Sequence, residues 1–456
     1  MPSRNRCHWG FAAAVAGALI AGVASLSVAA TTMQVKDINA SPGGDSSPRG
    51  FTLFNGAVYF SAQDGIKGHE LWKTDGTGPG TVRVKDIWPS HFSSYPSEFT
   101  ILGGTLYFGA ADGNHGRELW KSNGTAAGTS LVKDIRPGSQ DANPYGYTRL
   151  GSRLYFGALD ASSGGELWKT NGTRAGTVRV KDINPGSAYA SPMELTELGG
   201  ALYFRAADGK GAELWKTDGT SAGTKRVKDI KPGSQGSYPH DLTLMNGIIY
   251  FFACTDSPCL ELWRSDGTAA GTFRVKKITG PGNNSPSLLT NVAGTLFFRG
   301  EDSKGPELWT SDGTGPGTKR VEDIRPGSMG SYPDRLTPVG NKVFFGADDG
   351  TGSELWISDG SPSGTHKVAD INPFSSGAQP DYLTRVGSTV YFSARSDDFN
   401  RELYQSDGTP GGTSRVMDIW PGQDGSSPYD LQNIGGTIYF GADDHNHGFE
   451  LWKHVP

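Results

Sequence analysis

The chain has 456 residues, with 66 glycines, 27 prolines, 20% charged and 11% aromatic residues, and a formal net charge of −5. So many turn formers beside so many aromatics exclude a disordered chain or a long coiled coil and point to a turn-rich soluble fold. The two charge signs are interspersed and slightly acidic in sum, which excludes the basic surface that nucleic acid or anionic lipid requires.

Residues 1–30 stand apart. Arg4 and Arg6 precede an apolar stretch from Phe11 to Ala30 that lacks Asp and Glu and ends in small residues. That arrangement predicts a secretory signal peptide. An uncleaved anchor is the alternative, since about 20 apolar residues are just long enough to span a bilayer. The expectation is an exported protein, periplasmic, extracellular or at the cell surface, whose residues 31–456 form a single domain without membrane insertion.

From residue 33 onward one unit recurs. Glu-Leu-Trp ends at Trp72, Trp120, Trp168, Trp215, Trp263, Trp309 and Trp356, becomes Glu-Leu-Tyr at Tyr404, and returns at Trp452, always 46 to 48 residues apart. The period fits four-stranded propeller blades, which run to about 40–50 residues each. The second unit illustrates the rest. A strand over 99–102 turns at Gly103-Gly104, a pair suited to a two-residue hairpin, and returns over 106–110. After a loop over 112–116 a third strand covers 118–121, Asn123-Gly124-Thr125 turns, and a fourth covers 130–135. Runs such as Leu106-Tyr107-Phe108 predict sheets buried on both faces, as in a blade held between two others.

The first and last units are incomplete in complementary ways. Residues 33–38 read as a fourth strand without a blade, and Glu450-Leu451-Trp452 as a third strand without a fourth. Pairing them closes a ring and hides both edges. The expected fold is an all-β propeller of nine four-stranded blades closed by that pairing; eight blades with a displaced unit, or an open spiral, are the alternatives.

Cys254 and Cys259 flank a four-residue loop and read as a disulfide staple in an oxidising compartment. A metal or redox pair is the alternative, though no recurrent His accompanies it.

Glu-Leu-Trp-Lys-Thr-Asp-Gly-Thr at 70–77 and 213–220 resembles the signature of the bacterial ELWxxDGT repeat proteins. The resemblance covers residues 33–456 and implies an exported repeat protein, without naming catalytic residues. The spacing Ala158-x-Asp160-x-x-x-Gly164-x-x-x-Trp168, shared by the stretches ending at Trp72, Trp120 and Trp452, is similar to the tryptophan-docking motif of quinoprotein propellers. It implies structural tryptophans that clip blades together and does not imply pyrroloquinoline quinone.

Repeated carboxylates read as scaffold. Asp64, Asp112, Asp160 and their counterparts up to Asp444 suit turn caps, with a Ca²⁺ ring as the alternative. Asp37, Asp86, Asp134 and their counterparts suit turn initiation. The Glu of each Glu-Leu-Trp suits a buried partner for the adjacent fourth strand, its Lys included. No cofactor is expected, and His445-Asn446-His447 beside Asp443 and Asp444 leaves a metal open against a solvated loop.

An active site needs unlike groups converging on one point, which identical copies do not supply. Function is therefore sought in the connectors between units, which carry Trp88, Tyr95, Tyr145, Tyr189, Tyr238, His240, Tyr332, Phe374, Trp420 and Tyr429. Gathered on one face, these would suit a glycan or a protein partner; simple packing of the connectors is the alternative. The leading expectation is a monomeric, non-enzymatic propeller that binds a macromolecule or glycan through one face. Its rivals are a propeller enzyme, quinoprotein-like or glycan-active, and a structural or adhesion component. A channel mouth lined by one repeated group would exclude the enzyme.

Overall fold

The computed structural model describes residues 30–256, 261–278, 280, 286–397, 399–422 and 424–456. Residues 1–29 and Cys259 lie outside the described residues, and with them the expected leader and the Cys254–Cys259 staple. Among the described residues there are 36 strands and no helix, hence no helix long and apolar enough to cross a membrane. The strands form nine four-stranded antiparallel sheets, one for each Glu-Leu-aromatic unit. They are numbered here as blades 1 (Trp72) to 9 (Trp452).

Blade 2 pairs Ser97–Leu102, Thr105–Ala111, Arg117–Ser122 and Ser130–Lys133 in that order. Its first turn places Gly103 at φ 55° and Gly104 at φ 71°, which glycine adopts without steric cost. The fourth strand stops two residues before the expected Ile135 because the Ile135 N–H leaves the ladder and donates to Glu118 Oε2 at 2.9 Å.

Blade 9 is composite. Thr31–Lys36 lies antiparallel to Phe449–Val455, with Gln34 opposite Trp452, and Tyr429–Ile434 and Thr437–Asp443 complete the sheet. First strands touch first strands all the way round, including Tyr429–Ile434 against Arg49–Phe54. The first strand of every blade is thus the innermost, and the ring is closed.

The core lies between blades. Phe54, Tyr59, Leu71, Val84 and Ile87 of blade 1 pack with Leu106, Phe108, Ala110 and Trp120 of blade 2, and Trp72 closes against Val35, Ile38, Tyr439 and Leu451 of blade 9. All eight tryptophans of the motif are buried in this way. Each large apolar side chain removed from water stabilises by about 1.5–3 kcal/mol, so a single blade loses most of its core without neighbours. In blades 1 to 4 and 9 two lysines add polar stitches. Lys73 Nζ donates to Gly124 O (3.0 Å) and Lys85 Nζ to Thr129 O (2.7 Å). Lys453 and Lys36 repeat this from blade 9 onto Gly76 O and Thr81 O of blade 1.

Candidate functional site

The repeated carboxylates are occupied by the backbone. Glu70, fully buried, accepts the N–H groups of Ile87 (2.7 Å), Trp88 (3.3 Å) and Ser94 (3.2 Å) and the Ser94 hydroxyl (2.8 Å). It fastens the connector leading to the next blade. Of the expected bond to the fourth strand only the lysine is corrected: the lysines reach into the next blade and backbone N–H groups take the carboxylate, while in blade 5 Glu261 meets Arg274 of the fourth strand at 2.9 Å. Asp112 caps its loop as expected, accepting the N–H groups of Asn114 (3.0 Å) and His115 (2.9 Å). In blade 8, where Ser396 fills that place, Asp397 caps one residue later. The Asp before Ile keeps its turn role at Asp134, which accepts the Gly138 N–H at 3.4 Å, and is corrected to an ion-pair partner elsewhere: Asp86 meets Lys67 at 3.1 Å and Asp323 meets Lys304 at 3.0 Å. The His445 ring lies tilted against Trp420, centroids 4.7 Å apart, and His447 pairs with Asp444 at 2.8 Å. Among the described residues no three His, Cys, Asp or Glu side chains stand together as a metal set.

Strand order places both hairpin turns of a blade on one face and, on the other, the loop between second and third strands together with the connector. The connector face surrounds one mouth of the channel. Tyr145, His240 and Tyr429 begin the innermost strands of blades 3, 5 and 9, so they stand at that mouth. Tyr95, Tyr238 and Tyr332 lie two residues upstream of such strands, at φ 46–49°, and are 50–59% exposed. Tyr189 and Phe374 are exposed connector residues as well. Trp88 and Trp420 are half-buried further out, Trp88 stacked on Phe92 and Trp420 against His445. The expected ring therefore exists only in part.

The mouth itself is built by a bulge. In each innermost strand the second residue has positive φ: Gly50, Glu98, Gly146, Glu194, Asp241, Leu288, Arg335, Tyr382 and Asp430. The register with the second strand shifts just after the first residue. A bulge re-aims side chains, here toward the channel. The acids at this position clasp the next blade, Glu98 accepting Gly146 N–H (2.8 Å), Glu194 accepting Leu242 N–H (2.9 Å), Asp241 accepting Leu289 N–H (3.3 Å) and Asp430 accepting Gly50 N–H (2.6 Å). Gly50, Gly146, Leu288, Arg335 and Tyr382 fill the same position with unlike side chains, and the mouth is not uniform.

On the side of blades 4 to 8 a cavity of about 670 Å³ is lined by Glu194, Asp241, Arg299, Asp334, Arg335, Asp381 and Tyr382. It continues into one of about 400 Å³ that adds Tyr332, Gln379 and Arg401. Asp334 folds over Gly346, where a side chain would collide with its carboxyl. Burial, with Asp381 adding to it, pushes that carboxyl up to about 6 against the pull of Arg335 and Arg299. Asp381 is held differently: Arg335 Nε lies 3.0 Å from Oδ1, which also accepts the Tyr382 N–H at 2.7 Å. Arg401 donates to Ser393 O (3.1 Å) and Gln379 O (3.0 Å). His240 Nδ1 is 3.7 Å from Asp241 Oδ1.

Asp334, Asp381, Tyr382, Arg49 and Arg117 were not among the expected site residues. A signal for them exists. The residue after the buried Phe of each second strand runs Ser61, Gly109, Gly157, Arg205, Phe252, Arg299, Gly346, Ser393, Gly441. Wherever it is Gly, a large side chain folds over it: Arg117, Tyr145, Asp334 and Tyr429. Variation at one register position inside a constant repeat marks the face that is not scaffold.

No family model and no curated protein matches the chain. Among solved structures it is similar to a prolyl endopeptidase (13% identity, TM-score 0.44, 78% of this chain and 56% of that one). A puromycin hydrolase aligns at 13% identity and TM-score 0.40, over 89% of this chain and 59% of that one. A puromycin-hydrolyzing peptidase of Mycobacterium tuberculosis aligns at 10% identity and TM-score 0.41, over 78% of this chain and 60% of that one. The chain thus spans less than two thirds of these proteins, and at such TM-scores no activity passes from them to it. The expectation of a non-enzymatic binding module is corrected to this extent: the solved chains aligned here are described as peptidases and hydrolases, not as binding modules. The mixed lining of the mouth likewise removes the uniform ring that would have excluded catalysis.

Proposed function

We propose that the chain is an enzyme that hydrolyses a glycan by acid–base catalysis at the connector-side mouth of its channel. Asp334 protonates the leaving oxygen of the glycosidic bond, and Asp381 takes a proton from the water that adds to the sugar carbon. The observation that carries this reading is the Asp334 carboxyl. It faces a cavity, accepts no hydrogen bond from the described residues, and is pushed up to about 6, while its neighbour Asp381 is ion-paired to Arg335. Two carboxyl groups kept in unlike surroundings are what separates an acid from a base at one pH. Tyr332 offers an exposed aromatic face beside Gln379 and Arg401, and Tyr382 another in the larger cavity, a combination suited to sugar rings with their apolar faces and hydroxyl rims. The leader-like residues 1–30 support action outside the cytoplasm.

Release of reducing ends from a panel of neutral and acidic glycans tests the proposal. The active member of the panel should lose about 100-fold or more in rate with D334N and with D381N. Unchanged turnover in D334N, or no turnover of any member by the wild type, removes the proposal.

A further inference from the structure

Across the mouth, between blades 1 and 2, a separate cavity of about 260 Å³ is lined by Arg49, His69 and Arg117 together with Ser61, Tyr95 and Ser97. No carboxylate lines it. The Arg117 guanidinium lies over Gly109 and donates to Tyr95 O (2.7 Å), Ser97 Oγ (2.5 Å) and Gly109 O (3.0 Å). All three acceptors are neutral, and among the described residues Arg117 makes no ion pair. The carboxylates that stabilise it from further away are occupied, Asp141 by the Arg117 backbone N–H (2.7 Å) and Glu98 by Gly146 N–H (2.8 Å). Burial pulls the Arg117 pKa down, as expected of a cation whose lost hydration is not replaced by an anion.

Arg49, exposed at the start of the blade 1 innermost strand, likewise makes no ion pair among the described residues. Its acidic neighbour Asp430 is occupied by Gly50 N–H at 2.6 Å. The His69 ring stacks on Tyr95 at 5.2 Å; burial and the Arg49 charge hold the imidazole below its ordinary value, so at neutral pH it is an uncharged donor or acceptor. The same strand position in blade 8 supplies a contrast. There Arg401 lines its cavity together with Asp334, Asp348 and Asp381, and the protein supplies the negative charge. Between blades 1 and 2 it does not.

We infer that Arg49, His69 and Arg117 form an anion subsite that takes a carboxylate or sulfate group of the substrate, with the Ser61, Ser97 and Tyr95 hydroxyls completing its hydrogen bonds. Two guanidinium groups beside uncharged donors are the arrangement that favours oxyanions with several acceptor atoms. The identity of the substrate as a glycan rests on the proposal above; the subsite itself does not. An acidic glycan would place its charged substituent here while its scissile bond lies by Asp334.

Titration calorimetry on the mature chain at low salt, with inorganic sulfate, glucuronate and glucose as probes, tests the inference. Sulfate or glucuronate should bind and glucose should not, and R49Q should weaken the bound anion about tenfold, a loss of one charge-assisted contact. Tighter sulfate points to a sulfate ester, tighter glucuronate to a uronic acid. Because Arg117 also holds backbone carbonyls, R117Q risks the fold; R49Q and H69N alter the cavity without removing those bonds and carry the test. Failure of both anions to bind, or equal affinity in wild type and R49Q, overturns the subsite. Anion binding that persists in D334N without turnover in the wild type would overturn only the hydrolysis proposal. Cleavage of neutral glycans with no preference for acidic ones would overturn only the subsite.

Discussion

The Asp-Gly-Thr turn shows how much one residue is asked to do. Asp218 Oδ1 accepts both the N–H (2.8 Å) and the hydroxyl (2.7 Å) of Thr220, and Asn171 makes the same pair of bonds to Thr173. A shared turn role therefore accounts for Asn in two units, as its place in the repeat suggested. The glycine between them has a second constraint that the local sequence does not display. Gly172 sits at φ +86° with the Tyr107 hydroxyl of the neighbouring blade pressed against it, whereas Gly199, at φ +59°, has open space around it. G199A should cost only the backbone strain of a left-handed alanine, about 1 kcal/mol. G172A adds a collision and should cost about 2 kcal/mol or more. Equal shifts in the denaturation midpoints of the two variants would show that the blades do not approach as closely as described.

At the scale of the strand, the repeat made blades legible because turns punctuate it and both faces are apolar. The innermost strands were legible as strands too. Their bulges were not, because a positive φ at Glu98, Glu194, Asp241 or Tyr382 has no glycine to announce it. These non-glycine residues carry a strain of order 1–3 kcal/mol each, offset where Glu98 and Glu194 bond to the next blade. The strand Thr31–Lys36 carries the closure. It buries Val35, followed by Ile38 in the same interblade cluster, and places Thr32 Oγ1 2.8 Å from Nδ1 of the buried His454. Removing residues 31–38 should destabilise by about 4 kcal/mol from Val35 and Ile38 alone and leave Phe449–Val455 as an open edge. Size-exclusion chromatography with a denaturation curve reads both effects; a deletion that stays monomeric at full stability would refute closure by this strand.

For the molecule as a whole, the ring of buried glutamates sets the pH response. Burial pushes Glu70, Glu166, Glu307, Glu354 and Glu450 up to about 7 and Glu118 up to about 8, from an ordinary 4.5. A carboxyl raised on folding binds its proton more tightly in the folded state. Its contribution is full below 4.5 and is lost as pH rises through 7 to 8. His454, held low by burial, works in the opposite sense and withdraws stability as pH falls below its ordinary 6.5. Thermal midpoints should therefore be highest near pH 5–6 and fall toward pH 8. A midpoint that climbs from pH 6 to pH 8 would contradict this assignment.

The sequence by itself determined the blade, the count of nine and the way the ring shuts, because period, turn chemistry and two complementary ends are properties of the chain order. It also marked the Glu-Leu-Trp and Asp-Gly-Thr residues as scaffold, since identical copies cannot form one asymmetric centre. Of the mouth it disclosed Tyr145, His240 and Tyr429, and overlooked Asp334, Asp381, Arg49 and Arg117. Only the tertiary structure brings these four to one rim. They lie in different blades, and what distinguishes each from its repeats is the company it keeps there: Gly346 making room for Asp334, Arg335 neutralising Asp381, and no carboxylate lining the cavity of Arg117 and Arg49. Burial and charge around a side chain are set by neighbours remote in sequence, and a repeat pattern carries no record of them.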